Sequence, residues 1–259
     1  MQHWPYFSLI LPIVTCFELI WPQPKESYYG EAGVTVTKGH LNVNIDDFEG
    51  CEALRVAKQT YENSWFFPQI LPNSTAPGSL TEIKLIKPSD FQCPGGYSYP
   101  KTIKDESYHL TVTSAFSTLQ SNTIWGFLRG LETFSQLISH QPPKSISEPP
   151  KFTLKTAEII DEPAYNVRGL MLDTGRHFLP VDVILRQIDL MAQSKFNVFH
   201  WHIVDVESFP YHSEQFANLS ALGAFGPNAV YSRSDVKKVI KYANLKGIRV
   251  VPEFDTPGR

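Results

Sequence analysis

From about residue 163 onward, short apolar runs alternate with amphipathic helical patterns, and no other feature of the chain limits its fold as much. Residues 167–172 (VRGLML), 196–204 (FNVFHWHIV) and 248–254 (IRVVPEF) are near-continuous apolar runs, the composition of strands buried on both faces. Between the first two, Val181, Ile184, Leu185, Ile188 and Met191 recur at i, i+3, i+4, i+7 spacing, which predicts a helix. Between the last two, Val236, Val239, Ile240 and Ala243 form one stripe of a helix over 234–246. Ser232 and Asp235 stand at capping-box spacing before it, and Gly247 is placed to end it. The order β-α-β-α-β predicts a parallel sheet covered on both faces.

An open doubly wound sheet and a closed barrel both satisfy that order. The first strand–helix junction lacks the G-x-G-x-x-G fingerprint, which removes the main support for a dinucleotide-binding sheet. Asp173, Asp205, Glu253 and Asp255 stand instead at the expected strand C-termini, the end at which a (β/α)8 barrel carries its active site. The pattern therefore predicts a TIM barrel over residues 164–259. At roughly 30 residues per unit that stretch holds only about three βα units of the eight, so the barrel is expected to be incomplete.

Upstream the rhythm differs. Residues 33–40 (GVTVTKGH) and 108–113 (YHLTVT) alternate as strands do, and residues 51–66 have helical character. Residues 123–138 (TIWGFLRGLETFSQLI) form a helical pattern whose polar positions are almost limited to Arg129, Glu132 and Gln136, so this helix should be largely buried. We read residues 22–140 as a small α+β domain, a sheet with helices on one side. Four prolines and two serines within residues 141–150 exclude a continuing helix or a central strand there, and residues 141–163 are read as a linker.

A net charge of −3 without a long basic run gives a nucleic-acid partner no electrostatic support. Residues 1–21 contain an apolar segment resembling a secretory signal, with Cys16 inside it; an anchored or buried segment is the alternative. If Cys16 leaves with the signal, Cys51 and Cys93 remain as an even pair, one disulfide in an oxidising compartment or two buried thiols otherwise. Asn73 (Asn73-Ser74-Thr75) and Asn218 (Asn218-Leu219-Ser220) open N-x-T and N-x-S sequons, which suit the same secretory route to a lysosome or to the outside.

Several blocks in order, R-G-L-M-L-D-T-G-R-H-F (168–178), K-F-N-V-F-H-W-H-I-V-D (195–205), S-F-P (208–210) and P-E-F-D-T-P-G (252–258), resemble the opening of the eukaryotic β-N-acetylhexosaminidases. D-E-S-Y (105–108) and W-G-x-L-R-G-L-E-T-F-S-Q-L (125–137) resemble the non-catalytic α/β domain that precedes the barrel in that family, of which the lysosomal hexosaminidase subunits of animals are members. The resemblance implies hydrolysis of terminal, non-reducing β-linked GlcNAc or GalNAc from glycans or glycolipids by substrate-assisted retention, with no cofactor and with a homo- or heterodimeric partner subunit. It implies that the catalytic residues are an adjacent Asp-Glu pair after the fourth barrel strand, beyond Arg259, so this chain alone is expected to be inactive. A non-catalytic truncated form that binds glycans or subunits is the second reading.

By the same resemblance Arg168 is expected to grip sugar hydroxyls with its planar fork, against a structural Arg paired to a carboxylate. Asp205 and Asp255 are expected to stand behind the catalytic pair, against roles as caps or loop ion pairs. His200 and His202, as H-x-H on one strand, support a rival metal-dependent hydrolase; satisfied interior histidines are the simpler reading, and His177 is open between core and site. Val206 and Arg259 depart from the family, which carries Asp and His at the matching positions.

Overall fold

A computed structural model of the chain describes residues 20–71, 73–141 and 151–256. Cys16 and the rest of the expected signal, the proline-rich stretch 142–150 and Arg259 lie outside the described residues.

The first unit is a seven-stranded mixed sheet. Its strands are β1 (Glu26–Val36), β2 (Asn42–Asn44), β3 (Glu82–Ile86), β4 (Tyr108–Val112), β5 (Ser117–Gln120), β6 (Ile138–Gln141) and β7 (Lys151–Asp161). They run in the order β1-β7-β4-β5-β3-β2, with β6 also on β7. The alternation in residues 33–40 does mark a strand, but β1 begins earlier, at Glu26, and a register shift between Tyr29 and Gly33 hides its first half from a period-two pattern.

The linker expected over 141–163 is corrected by β7. Residues 151–161 pair along one edge with β1 and along the other with β6 and then β4, so they hold the sheet together. Phe152, Leu154, Ala157 and Ile159 put an apolar face into the core, a signal that the neighbouring prolines obscured. Among the described residues the first unit thus runs to Asp161, not to residue 140.

Two helices cover one face: α1 (Glu52–Thr60), which continues as a π-helical turn through Tyr61–Trp65, and α2 (Ile124–Gln136). Thr123 caps α2 by accepting from the Trp125 and Gly126 amides, satisfying two of the otherwise orphaned donors. Eleven of the helix residues are buried, including Arg129 and Glu132, as the thin polar stripe required. The reason is a second neighbour: α2 lies on the sheet while Arg129 Nη2 donates to the Phe196 and Gly247 carbonyls of the second unit.

That second unit is a three-stranded parallel sheet, β8 (Gly169–Asp173), β9 (Val198–Val204) and β10 (Arg249–Phe254), in the order β10-β9-β8. Helices α3 (Val181–Gln193) and α5 (Arg233–Asn244) cross between the strands, and a short α4 (Ala217–Gly223) lies in the loop after β9. Ile184, Ile188, Met191, Phe199, Trp201, Tyr231, Val239 and Ala243 form its core between the strands and α3 and α5. The expectation that both faces would be covered is not met: Leu170, Met171, Val251 and Phe254 remain exposed.

The helix ends explain two sharp turns. Ser232 and Asp235 form the capping box of α5, and Gly247, at φ +71°, ends it with the Ile248 amide on the Ala243 carbonyl. The same Schellman pattern closes α3, with the Phe196 amide on the Met191 carbonyl, but the left-handed position is Lys195 at φ 57°. A side chain is strained there, and what offsets it is the reach of its ammonium group, which donates to Thr133 Oγ1 at 2.7 Å and Tyr108 Oη at 3.0 Å in the first unit.

Candidate active site at the strand C-termini

Parallel pairing aligns the ends of β8, β9 and β10. Asp173 and Glu253 are both in register with His202, so three functional side chains arrive side by side from three strands. Asp205 and Asp255 follow immediately after β9 and β10. His202 is almost fully buried and is the hub of the group. Its Nε2 lies 3.4 Å from Asp205 Oδ2 and 3.9 Å from Asp255 Oδ2, and its Nδ1 lies 3.9 Å from Asp173 Oδ2. Neither Nε2 nor Asp205 Oδ2 makes an aligned hydrogen bond, although both are buried.

Arg176, in the turn after β8, supplies the compensating charge. Its Nη1 is 2.6 Å from Asp173 Oδ2, its Nη2 is 2.7 Å from Asp205 Oδ2 and its Nε is 3.6 Å from Glu207 Oε1. The contact with Asp205 is close but its N–H is not aimed along the oxygen, so it acts as a charge pair. Burial pushes the Asp173 carboxyl up, but hydrogen bonds from the Arg176 amide and guanidinium outweigh that and hold it below its ordinary range. The hydrogen bond that Arg176 donates to Asp173 in turn raises the Arg176 guanidinium above its ordinary range.

The turn carrying Arg176 is fastened to β9. The Thr174 amide donates to the His202 carbonyl at 2.9 Å, Trp201 Nε1 donates to Thr174 Oγ1 at 2.9 Å, and Ser208 Oγ donates to the Gly175 carbonyl at 2.5 Å. A Cβ at Gly175 would stand 2.7 Å from the Asp205 amide nitrogen, so only glycine allows this approach. Two loops distant in sequence are thereby held as one surface.

Arg168 is not part of that surface. It precedes β8, at the opposite end of the strand from Asp173, and its guanidinium donates to the Tyr165 carbonyl, the Lys195 carbonyl and Glu106 Oε1. The substrate-gripping role expected of Arg168 is therefore corrected to a structural one. The guanidinium at the site is that of Arg176, which lies in the same R-G-L-M-L-D-T-G-R block. Asp at the end of a strand followed three residues later by Arg was the signal that could have found it.

Asp205 and Asp255 are brought together, on either side of His202 Nε2. His200 is not: its Nε2 pairs with Glu253 Oε2 at 2.6 Å, one layer below. Among the described residues the three-donor group fit for a metal ion is His202, Glu253 and Asp255, so H-x-H does not place both imidazoles at one point. His177 is exposed and Glu207 is at the rim. Cys51 and Cys93 are joined by a disulfide closing 42 residues, with their Cα atoms 5.4 Å apart. Asn73 is exposed outside any helix or strand; Asn218 is exposed in α4, but the hydroxyl of its sequon partner Ser220 is buried against the Ala217 carbonyl.

Residues 165–259 match the catalytic domain of glycosyl hydrolase family 20, and residues 20–137 match the domain described as beta-acetyl hexosaminidase like. Beta-hexosaminidase A of Caenorhabditis briggsae is 39% identical over 239 residues, 92% of this chain and 42% of the relative. The human beta-hexosaminidase subunit beta is 50% identical over 161 residues, 62% of this chain and 28% of that protein. The structure of N-acetyl-beta-hexosaminidase from Streptomyces plicatus is similar with a TM-score of 0.71 at 25% identity, covering 94% of this chain and 47% of that one. The chain thus spans less than half the length of these relatives. With both domain matches in order and relatives aligned across most of its residues, this chain belongs to glycosyl hydrolase family 20, the β-N-acetylhexosaminidases.

Proposed function

We propose that the chain forms part of a β-N-acetylhexosaminidase that removes terminal, non-reducing β-linked GlcNAc or GalNAc from glycans and glycolipids. The observation that carries this reading is the joining of Asp173, Arg176, His202, Asp205 and Asp255 at one end of a parallel sheet in a chain of this family. The three strands are read as an arc of a (β/α)8 barrel, whose active sites lie at that end. In substrate-assisted retention the sugar's acetamido oxygen attacks the anomeric carbon, a Glu protonates the leaving oxygen and a neighbouring Asp steadies the acetamido group. In this scheme Arg176 donates to sugar hydroxyls, and Asp205 and Asp255 orient the acid–base pair through His202.

The pair itself is proposed to come from the sequence that follows the third strand in relatives. Among the described residues the adjacent acidic pairs sit elsewhere. Asp46 and Asp47 are exposed on the first unit; Glu106, beside Asp105, is buried against two arginines; Asp161 meets Tyr108 and Lys195, while Glu162 meets Lys25. The 259-residue chain is therefore expected to release no p-nitrophenol from p-nitrophenyl N-acetyl-β-glucosaminide, and a version extended through the remaining strands is expected to do so. Turnover by the shorter chain would overturn the assignment of roles.

A secretory route is favoured by the Cys51–Cys93 disulfide, since such bonds persist in oxidising compartments. On that route Asn73 is the better glycan acceptor, because the Asn218 sequon is wound into a helix with its hydroxyl turned inward. Pairing with a second hexosaminidase subunit is proposed on the strength of the relatives being named as subunits. No helix among the described residues is long and apolar enough to cross a membrane.

A further inference from the structure

Two segments of the first unit reach the last turn of α5, and the Cys51–Cys93 disulfide joins them. Cys51 immediately precedes α1, and the next residue, Glu52, holds Lys241 Nζ at 3.0 Å. Cys93 lies within residues 92–100, which form no helix or strand, and five positions on the Ser98 carbonyl accepts from Asn244 Nδ2 at 2.7 Å. Beside it the Arg249 guanidinium, at the start of β10, stacks on the Tyr99 ring at 5.4 Å. The Glu52–Lys241 pair is exposed and holds little by itself. The grip on α5 therefore rests on residues 92–100, whose covalent anchor is the disulfide.

The bond is open to thiol attack. Both cysteines line a cleft of about 350 Å³ between the units, and Cys93 is the more exposed of the two. Cys51 is the N-cap of α1 and makes no side-chain cap hydrogen bond. A thiolate leaving from Cys51 thus meets the first-turn amides of a helix, a setting that favours a sulfur anion and speeds exchange. In that exchange the thiolate of a dithiol reductant attacks Cys93 Sγ, the Cys51–Cys93 bond breaks and Cys51 leaves as the thiolate. The second thiol of the reductant then displaces Cys93 and closes into a cyclic disulfide. The two electrons and two protons lost by the dithiol end on the two cysteines.

We propose that the Cys51–Cys93 disulfide is a redox-sensitive latch on the seam. Intact, it holds residues 92–100 against α5; reduced, it frees them and loosens the end of α5 from the first unit. Because α5 leads through Gly247 into β10, the latch acts on the strand that carries Glu253 to the candidate site.

Hydrogen exchange of the full 259-residue chain, with and without dithiothreitol in native buffer, tests the latch. Peptide masses after alkylation count the thiols of Cys51 and Cys93 separately from Cys16. Reduction is expected without denaturant. Exchange at the Leu245, Lys246, Gly247 and Ile248 amides, which close α5, should rise roughly tenfold or more while β4 and β5 stay protected. Oxidised Asn244→Ala should show the same rise with its disulfide intact. If far-UV circular dichroism shows that Asn244→Ala does not fold, the double variant Cys51→Ser, Cys93→Ser gives the reading without reductant. Thiols that appear only after unfolding in urea, free thiols with unchanged exchange at the end of α5, or protection lost evenly through β4 and β5 would each overturn the latch.

Discussion

Glu106 and Arg168 are 62 residues apart in sequence and 2.6 Å apart in space, across the seam between the two units. Arg129 Nε lies 2.7 Å from the same oxygen of Glu106, and Asn197 Nδ2 donates to the other at 3.1 Å. Glu106 is thus a buried carboxylate shared by two guanidiniums, one from α2 and one from the start of β8. Burial lowers Arg168 from its usual range, and the hydrogen bond and charge of Glu106 oppose that shift. The seam is where the second unit is fixed to the first.

Removing one partner of such a group leaves buried charge uncompensated, which costs about 3–5 kcal/mol. Glu106→Gln is therefore expected to lower the stability of the chain by that amount in urea unfolding, and Arg168→Ala by a similar amount. A loss below about 1 kcal/mol for both would show that the seam is not held by this group.

Arg168 and Arg176 should separate cleanly in a catalytically complete protein. Arg176→Ala removes hydrogen bonds from a charged donor, each worth about 1.5–3 kcal/mol, so kcat/KM should fall roughly 10- to 100-fold. Arg168→Lys should lower thermal stability while leaving KM close to the parent value. Steady-state kinetics on the extended chain reads both, and a KM defect confined to Arg168→Lys would reverse the two roles.

The Asp173–Arg176 pair has a defined pH signature. The Asp173 carboxyl titrates below its unfolded value of 3.8 when folded, because Arg176 hydrogen bonds outweigh burial. Its stabilisation is therefore fully present above that unfolded value and is lost as pH falls through the folded one. Asp173→Asn should be less stable than the parent at pH 6, and the difference should vanish well below pH 3.8. Thermal unfolding across that range tests it; a difference that grows on acidification would be the wrong sign.

The place of β7 makes a prediction about fragments. Residues 22–140 lack the strand that joins β1 to β4, so they should not unfold cooperatively. Residues 20–161 contain the whole sheet and both covering helices and should do so, followed by circular dichroism on heating. Equal cooperativity for the two fragments would mean that β7 is dispensable.

Much of the local architecture is legible in the residues alone. The alternation of strands and helices after residue 163, the buried character of α2, the capping box at Ser232 and Asp235 and the turn at Gly247 all follow from interactions within a few residues. So does the gathering of Asp173, Asp205, Glu253 and Asp255, because parallel strands of matched length bring their C-termini to one edge.

What the tertiary structure alone decided is which distant groups meet. Nothing local shows that residues 151–161 enter the first sheet, since strand partners are chosen over long separations. Lys195 occupies a position that favours glycine because Thr133 and Tyr108, in another unit, receive its ammonium group. Arg168 and Arg176 carry the same chemistry eight positions apart in one sequence block, and only their place along β8 sends one to the seam and the other to the site. A side chain's type is local, but its electrostatic partner is set by where the backbone carries it.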